Sequence, residues 1–342
     1  MTALPEEIFR KLKKVLAPPF RVTLLTHINP DGDAIGSMLG LYWFLLKKGC
    51  QVSMAVPNNF PHFLDWMDGA DQILIFSKQR DRVKEELQNA DLVFCLDLNE
   101  SGRLGEMQPL FDGLDVTTIL IDHHPEPDGK ADHIFSVQEV SSTAELVFQL
   151  IEGLGDVELI DTPIATCLYV GMMTDTGCFS FNSSRPRTFE IVGELLLRGL
   201  DKDRTFSQVY DNYSLDRMRL LGYSLEQKLV VLPEHRTAYI SLTRDELNRF
   251  NHAKGDTEGF VNYPFSVSNI RISALFIERK DHIKISFRSK GDFPINSLAA
   301  KFFNGGGHKN AAGGESYEEL AATVKKFENL IGQYSNEINR IP

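Results

Sequence analysis

The chain reads as an α/β protein in two parts, an N-terminal domain on a parallel sheet followed by a smaller α+β domain. Three observations carry this reading. Up to about residue 200, short apolar runs alternate with helical patterns, as in a sheet whose parallel strands are joined by crossing helices. Beyond residue 228, strand-like runs follow one another closely with few helices between them. The length, 342 residues, also exceeds what a single hydrophobic core usually serves. The expected division is a catalytic domain over 1–200, a charged helical connector over 201–227 and a substrate-binding domain over 228–342.

Residues 1–16 mix Glu6, Glu7, Arg10, Lys11, Lys13 and Lys14 into an amphipathic helical pattern. The apolar run 21–26 predicts a buried strand, and His27-Ile28-Asn29-Pro30-Asp31-Gly32-Asp33 follows as a turn, with Asp33 at the N-cap of a helix over 34–48. Gly49 stops that helix, and residues 51–56 alternate like a strand. A loop over 58–70 and a charged helix over 78–89 lead to the apolar strand 92–96, which ends at Asp97. The same pattern recurs at 118–121, ending in Asp122-His123-His124. Ser141 to Glu145 resembles a capping box that opens a helix to about residue 152. Helices over 162–173, running into Asp175, and over 186–198 complete this half. The second part offers strands at 229–232, 237–242, 269–278 and 284–288, and helices at 244–250, 295–303 and 317–331. Gly305-Gly306-Gly307-His308 lies between the last two helices.

Composition narrows the function. The net charge of −11 disfavours capture of long duplex nucleic acid, which needs an extended basic surface. No apolar run approaches the ~18 residues of a membrane span. The cysteines, Cys50, Cys95, Cys167 and Cys178, stand singly with no CxxC pair, as reduced thiols would. A soluble cytoplasmic protein is the expectation, and a homodimer is compatible with it.

His27, Asp31, Asp33, Asp97, Asp122, His123, His124 and Asp175 all fall at strand or helix ends. Open α/β sheets build their sites outside the carboxyl ends of strands. So many carboxylates in one cleft would repel each other without cations, so two divalent ions are expected. Oxygen and imidazole donors without thiolate suit Mn2+ best, with Mg2+, Co2+ and Fe2+ as alternatives. Such a pair of ions suits hydrolysis.

In order, His27-x3-Asp31-x-Asp33, Asp97, Asp122-His123-His124 and Asp175 resemble the four motifs of the DHH phosphoesterase family. Gly305-Gly306-Gly307-His308 with Ala311-Ala312-Gly313 resembles the family's associated C-terminal domain, so the likeness runs from about residue 20 to 335. Within the family the chain is most similar to the bifunctional oligoribonucleases, or nanoRNases, that also dephosphorylate 3′-phosphoadenosine 5′-phosphate. The resemblance implies a first metal on His27, Asp31 and Asp97 and a second on Asp33, Asp97, His123 and Asp175, bridged by Asp97. His124 would face the scissile phosphate and Asp122 would orient a ligand histidine. Arg103, Ser142 and Thr143 are candidate phosphate contacts, and Arg288, Gly305, Gly306, Gly307 and His308 are candidate substrate residues, since bare glycine amides and a guanidinium both accommodate phosphate. Short RNA or nucleotides are the expected substrates. Cleavage of cyclic or linear dinucleotides, hydrolysis of pyrophosphate or polyphosphate, and catalytically inactive nucleotide binding are the alternatives. Complete ligand motifs speak against the last, and the glycine-histidine run against a pyrophosphatase.

Overall fold

The run Leu92-Val93-Phe94-Cys95-Leu96 is apolar at every position because both faces of its strand are covered. Leu92, Phe94 and Leu96 enter one core, Val93 and Cys95 another. Such unbroken apolar runs belong to parallel strands sandwiched between helix layers. In this computed structural model, which describes residues 20–341 together with Glu6, Phe9, Arg10 and Lys13, that strand is central. Most of the amphipathic pattern over residues 1–16 lies outside the described residues.

The chain divides into two compact units, Met1–Asn212 and Tyr213–Pro342. In the first, β1 (Arg21–Leu25), β2 (Gln51–Val56), β3 (Leu74–Ile75), β4 (Leu92–Leu96), β5 (Thr117–Asp122) and β6 (His133–Ser136) form one parallel sheet in the order β3-β2-β1-β4-β5-β6. The order reverses direction between β1 and β4, and a crevice opens at the carboxyl ends of such a pair. Helices α1 (Gly32–Lys47), α2 (Arg80–Gln88), α3 (Gln108–Asp112), α4 (Thr143–Leu154), α5 (Thr162–Asp175), α6 (Pro186–Leu197) and α7 (Lys202–Tyr210) complete the unit.

Packing of α1 on α5 sets the geometry of the site. Gly32, Gly36 and Gly40 recur every fourth residue along α1. A Cβ on Gly36 would stand 2.5 Å from the Cys167 carbonyl oxygen, and one on Gly171 would stand 2.8 Å from Asp33 Oδ1. The two backbones therefore touch, and residues with side chains at those positions would force them apart.

The second unit begins with α8 (Leu215–Tyr223), which runs into a π-helical turn at Ser224–Lys228. The stretch 201–227 is thus not one connector: α7 belongs to the first unit and α8 to the second. Strands β7 (Leu229–Leu232), β8 (Thr237–Leu242), β9 (Ile272–Glu278), β10 (Ile283–Ser289), β11 (Gly306–His308) and β12 (Ala311–Ser316) make a sheet in the order β11-β12-β10-β9-β8-β7. Only β8 and β9 pair parallel. With α9 (Arg244–Arg249) between β8 and β9, α10 (Ile295–Phe302), α11 (Leu320–Gln333) and α12 (Ser335–Asn339) complete it. Phe276, Phe287, Phe303 and Phe327 fill its largest core. Among the described residues no helix is long and apolar enough to cross a membrane.

Candidate active site

Strand ends deliver the donors. His27 follows β1, Asp97 follows β4, and Asp122 closes β5 ahead of His123 and His124. His27 and Asp97 meet across the switch between β1 and β4, with His27 Nε2 3.3 Å from Asp97 Oδ2. Nδ1 of His27 lies 2.8 Å from the Ile28 carbonyl, which only accepts; in the neutral ring Nδ1 carries the proton and Nε2 presents its lone pair to the site. Asp97 has a left-handed φ of 55°, which turns its carboxylate out of the strand line. The Ile28 N–H donates to the Arg103 carbonyl (2.7 Å), so the loop behind β4 holds the first motif in place.

Asp31, not Asp33, caps α1: its carboxylate accepts the Asp33 and Ala34 N–H groups, both at 3.1 Å. The helix begins two residues earlier than expected because the cap needs an extended backbone, which Asp31 has at ψ −164°. Asp33 is buried in the first turn, where it accepts N–H groups from Thr143 (2.7 Å) and Ala144 (2.9 Å) and the Ser37 hydroxyl (3.2 Å). Those amides open α4, so two orphan donors at a helix N-terminus orient this carboxylate.

Two donor sets follow. His27, Asp31 and Asp97 place one ligand atom each within 4.8 Å of one another, and so do Asp33, His123 and Asp175. His123 Nε2 lies 3.7 Å from Asp33, 3.6 Å from Asp175 and 3.6 Å from Asp97, so Asp97 borders both sets. Burial, and then the charges of Asp97, Asp175 and Asp31, push the Asp33 carboxyl well above its ordinary range. Burial likewise raises Asp175, to about 6, helped by Asp31 and Asp97. Asp97 goes the other way: burial opposes its ionisation, but hydrogen bonds with His124 and His27 outweigh it. A cluster that resists its own ionisation in this way fits divalent cations, whose charge removes the repulsion.

Asp122 is fully buried and holds His124. Its Oδ1 accepts from His124 Nδ1 at 2.8 Å. Burial opposes protonation of His124, yet the Asp122 and Asp97 carboxylates hold it up to about 10. Ser142 and Thr143 are buried too. Ser142 caps α4 by accepting the Glu145 N–H (3.1 Å), and the Thr143 hydroxyl donates to Asp97 (3.0 Å). The expected capping box is half formed, because Glu145 accepts from the Ser141 N–H and hydroxyl instead of from Ser142. Arg103 is half-buried and donates to Asn99 at 3.3 Å.

In the second unit Gly306–His308 form strand β11, the first arm of a hairpin with β12, and Gly305 precedes it. Register places Ser273, Arg288, Ala311 and His308 opposite one another across β9, β10, β12 and β11, hence on one face of the sheet. Arg288 and His308 flank Ala311, about 10 Å apart by the usual strand spacing. The adjoining row is Ser286, Gly313 and Gly306. The three glycines have different reasons to be glycine. A Cβ on Gly305 would overlap the Gly313 carbonyl, and Gly307 has φ +133°, whereas a Cβ on Gly306 would meet nothing within 4 Å. The sequence reading missed the small residues between Arg288 and His308, and it passed over the four-residue glycine spacing of α1, which is legible in the chain.

Residues 21–172 match the family model described as DHH family, N-terminal domain, and residues 239–333 match the DHHA1 domain. The chain is 30% identical over 317 residues to the bifunctional oligoribonuclease and PAP phosphatase NrnA of Bacillus subtilis, covering 92% of this chain and 95% of that one. It is 30% identical over 328 residues to the Thermus thermophilus protein of the same name, covering 92% and 91%. A solved structure described as an exopolyphosphatase-related protein from Bacteroides fragilis shares 41% identity at a TM-score of 0.95, over 99% of this chain and 100% of that one.

Proposed function

Because the chain belongs to the DHH family and carries its DHHA1 domain, we propose that it hydrolyses short oligoribonucleotides to nucleoside 5′-monophosphates and removes the 3′-phosphate of adenosine 3′,5′-bisphosphate. It is a hydrolase of phosphate esters. The observation that carries the reading is the pair of donor sets bordered by Asp97, in a chain alike over nine-tenths of its length to relatives named for these two activities.

His27, Asp31 and Asp97 would hold one divalent ion, and Asp33, His123, Asp175 and Asp97 a second, Mn2+ being the best match to oxygen and imidazole donors. Bound there, the ions supply Lewis acidity that neutralises phosphoryl charge and acidifies an attacking water. The chain itself does the rest. His124, whose Nδ1 is held by the Asp122 carboxylate, would turn its other ring nitrogen to the substrate phosphate and fix its position. Arg288 and His308 supply cationic and polar contacts for a substrate phosphate, and the open face of Gly306 leaves room for it. Four free cysteines, three of them buried, fit a cytoplasmic setting.

The test is product analysis by chromatography with Mn2+ present. The panel is pApA, a 5-mer and a 24-mer RNA, adenosine 3′,5′-bisphosphate, cyclic di-AMP, pyrophosphate and polyphosphate. The expected result is AMP from pApA, from the 5-mer and from the bisphosphate, with the 24-mer a poor substrate. Turnover of cyclic di-AMP or polyphosphate alone would overturn the reading in favour of that substrate class.

A further inference from the structure

Helix α5 ends in an unusual turn. After Asp175, three consecutive residues take left-handed backbone angles: Gly177 (φ 54°), Cys178 (55°) and Phe179 (61°). Asn182 is a fourth, at 47°. Side chains at two consecutive left-handed positions strain the backbone, and such strain persists only where the surroundings over-determine it. Here they do. The Cys178 N–H donates to the Met173 carbonyl (2.7 Å), the Phe179 N–H to Thr176 Oγ1 (2.9 Å), and the Ser180 and Phe181 N–H groups to the Thr176 carbonyl (2.9 and 3.1 Å).

The turn sends its two aromatic residues to different surroundings. Phe179 packs among rings, 5.7 Å from Tyr169 and 5.6 Å from Phe189 between centroids. Phe181 instead lies against Gly177, where any Cβ would overlap its ring, and remains 44% exposed. Its neighbour Asn182 donates to the Val140 and Ser141 carbonyls (3.3 and 3.4 Å), immediately before Ser142 and Thr143. Thr143 is the residue that holds Asp33 and Asp97. Phe181 is thus tethered on one side to Asp175 and on the other to the segment behind the remaining carboxylates.

An exposed aromatic ring, fixed on a strained turn beside a cluster of metal-type donors, is placed to receive a planar, uncharged group joined to a phosphate. We propose that Phe181 is the stacking platform for the nucleobase next to the phosphate that is cleaved. The proposal rests on the phosphoesterase reading and adds a base subsite to it. Because every base has a π face, the platform favours base-bearing over base-free substrates with little preference among bases. The glycine at 177 is part of the device, since it lets the ring lie directly on the backbone.

The experiment compares wild type, Phe181→Ala and Phe181→Trp on pApA, pUpU and the base-free ribose 3,5-bisphosphate, with KM and kcat measured separately. Phe181→Ala should raise KM about tenfold for both dinucleotides, equivalent to about 1.4 kcal/mol. It should leave the base-free substrate, the metal content and the unfolding midpoint unchanged, and Phe181→Trp should restore KM. Unchanged KM for the dinucleotides, or an equal loss on the base-free substrate, would overturn the stacking role while leaving the phosphoesterase reading intact. A wild type that turns over none of the three refutes that reading and this proposal together.

Discussion

Gly36 and Gly171 in the first unit lack a Cβ because another residue's atoms occupy its place, whereas Gly306 in the second lacks one with open space above it. The difference separates two ways of making a site. In the first unit, close helix packing drives buried carboxylates together against their mutual repulsion, and hydrogen bonds from helix ends and hydroxyls hold each in position. In the second, the strand face that carries Arg288 and His308 has only small residues between and beside them, Ala311, Ser286, Gly313 and Gly306, so that it offers room. Rigid geometry suits ions with fixed bond lengths. An open face suits a ligand of variable shape.

The largest expected effect falls where the two donor sets meet. Asp97→Ala should lower kcat at least a thousandfold, about 4 kcal/mol of barrier, and elemental analysis should show metal lost from the chain. A loss smaller than about tenfold would break the assignment of Asp97 to both sets.

Next come the second unit's side chains. Arg288→Ala and His308→Ala should each cost about 30- to 100-fold in kcat/KM, the scale of a lost charge-assisted hydrogen bond. Metal content in both should equal that of wild type. Metal loss in either would erase the contrast between an ion-holding and a substrate-holding unit.

A single methyl group sharpens the contrast further. Gly171→Ala pushes on Asp33 Oδ1 and on Ala144, and should destabilise the fold by about 1–3 kcal/mol while weakening metal binding. Gly306→Ala meets nothing, so denaturant unfolding should place it within about 0.5 kcal/mol of wild type, with its penalty confined to KM.

The smallest effect is a pH dependence of the metal-free protein. The Asp175 carboxyl, raised from 3.8 to about 6 chiefly by burial, is higher in the folded chain than in the unfolded one. Its contribution to stability is therefore fully present below about pH 4 and lost as pH rises through about 6. Asp33 is shifted in the same direction. Without metal, the unfolding midpoint should fall on the order of a few degrees between pH 4.5 and 7, and either Asp175→Asn or added Mn2+ should flatten the slope. A midpoint that rises over this range would show that the carboxylates are less crowded than the geometry requires.

By itself the sequence determined the strands buried on both faces and the donors that follow them. An unbroken run such as Leu92 to Leu96 is a local signal, and Asp97, Asp122 and His123 are read directly from where such runs stop. The family resemblance was legible for the same reason, since each motif is contiguous. Only the tertiary structure decided the rest. The two-residue β3 and the half-buried β6 are too short or too mixed to show a period, and β11 carries glycines that locally resemble a turn. Choosing Asp31 over Asp33 as the cap depended on amides 110 residues away that claim the Asp33 carboxylate. That Asp122 serves His124, that Thr143 serves Asp97 and that Gly306 faces open space all depend on how side chains are directed after folding. Periodicity records which residues are buried. It does not record which partner a buried polar group meets, because that pairing is made between elements whose separation along the chain carries no local pattern.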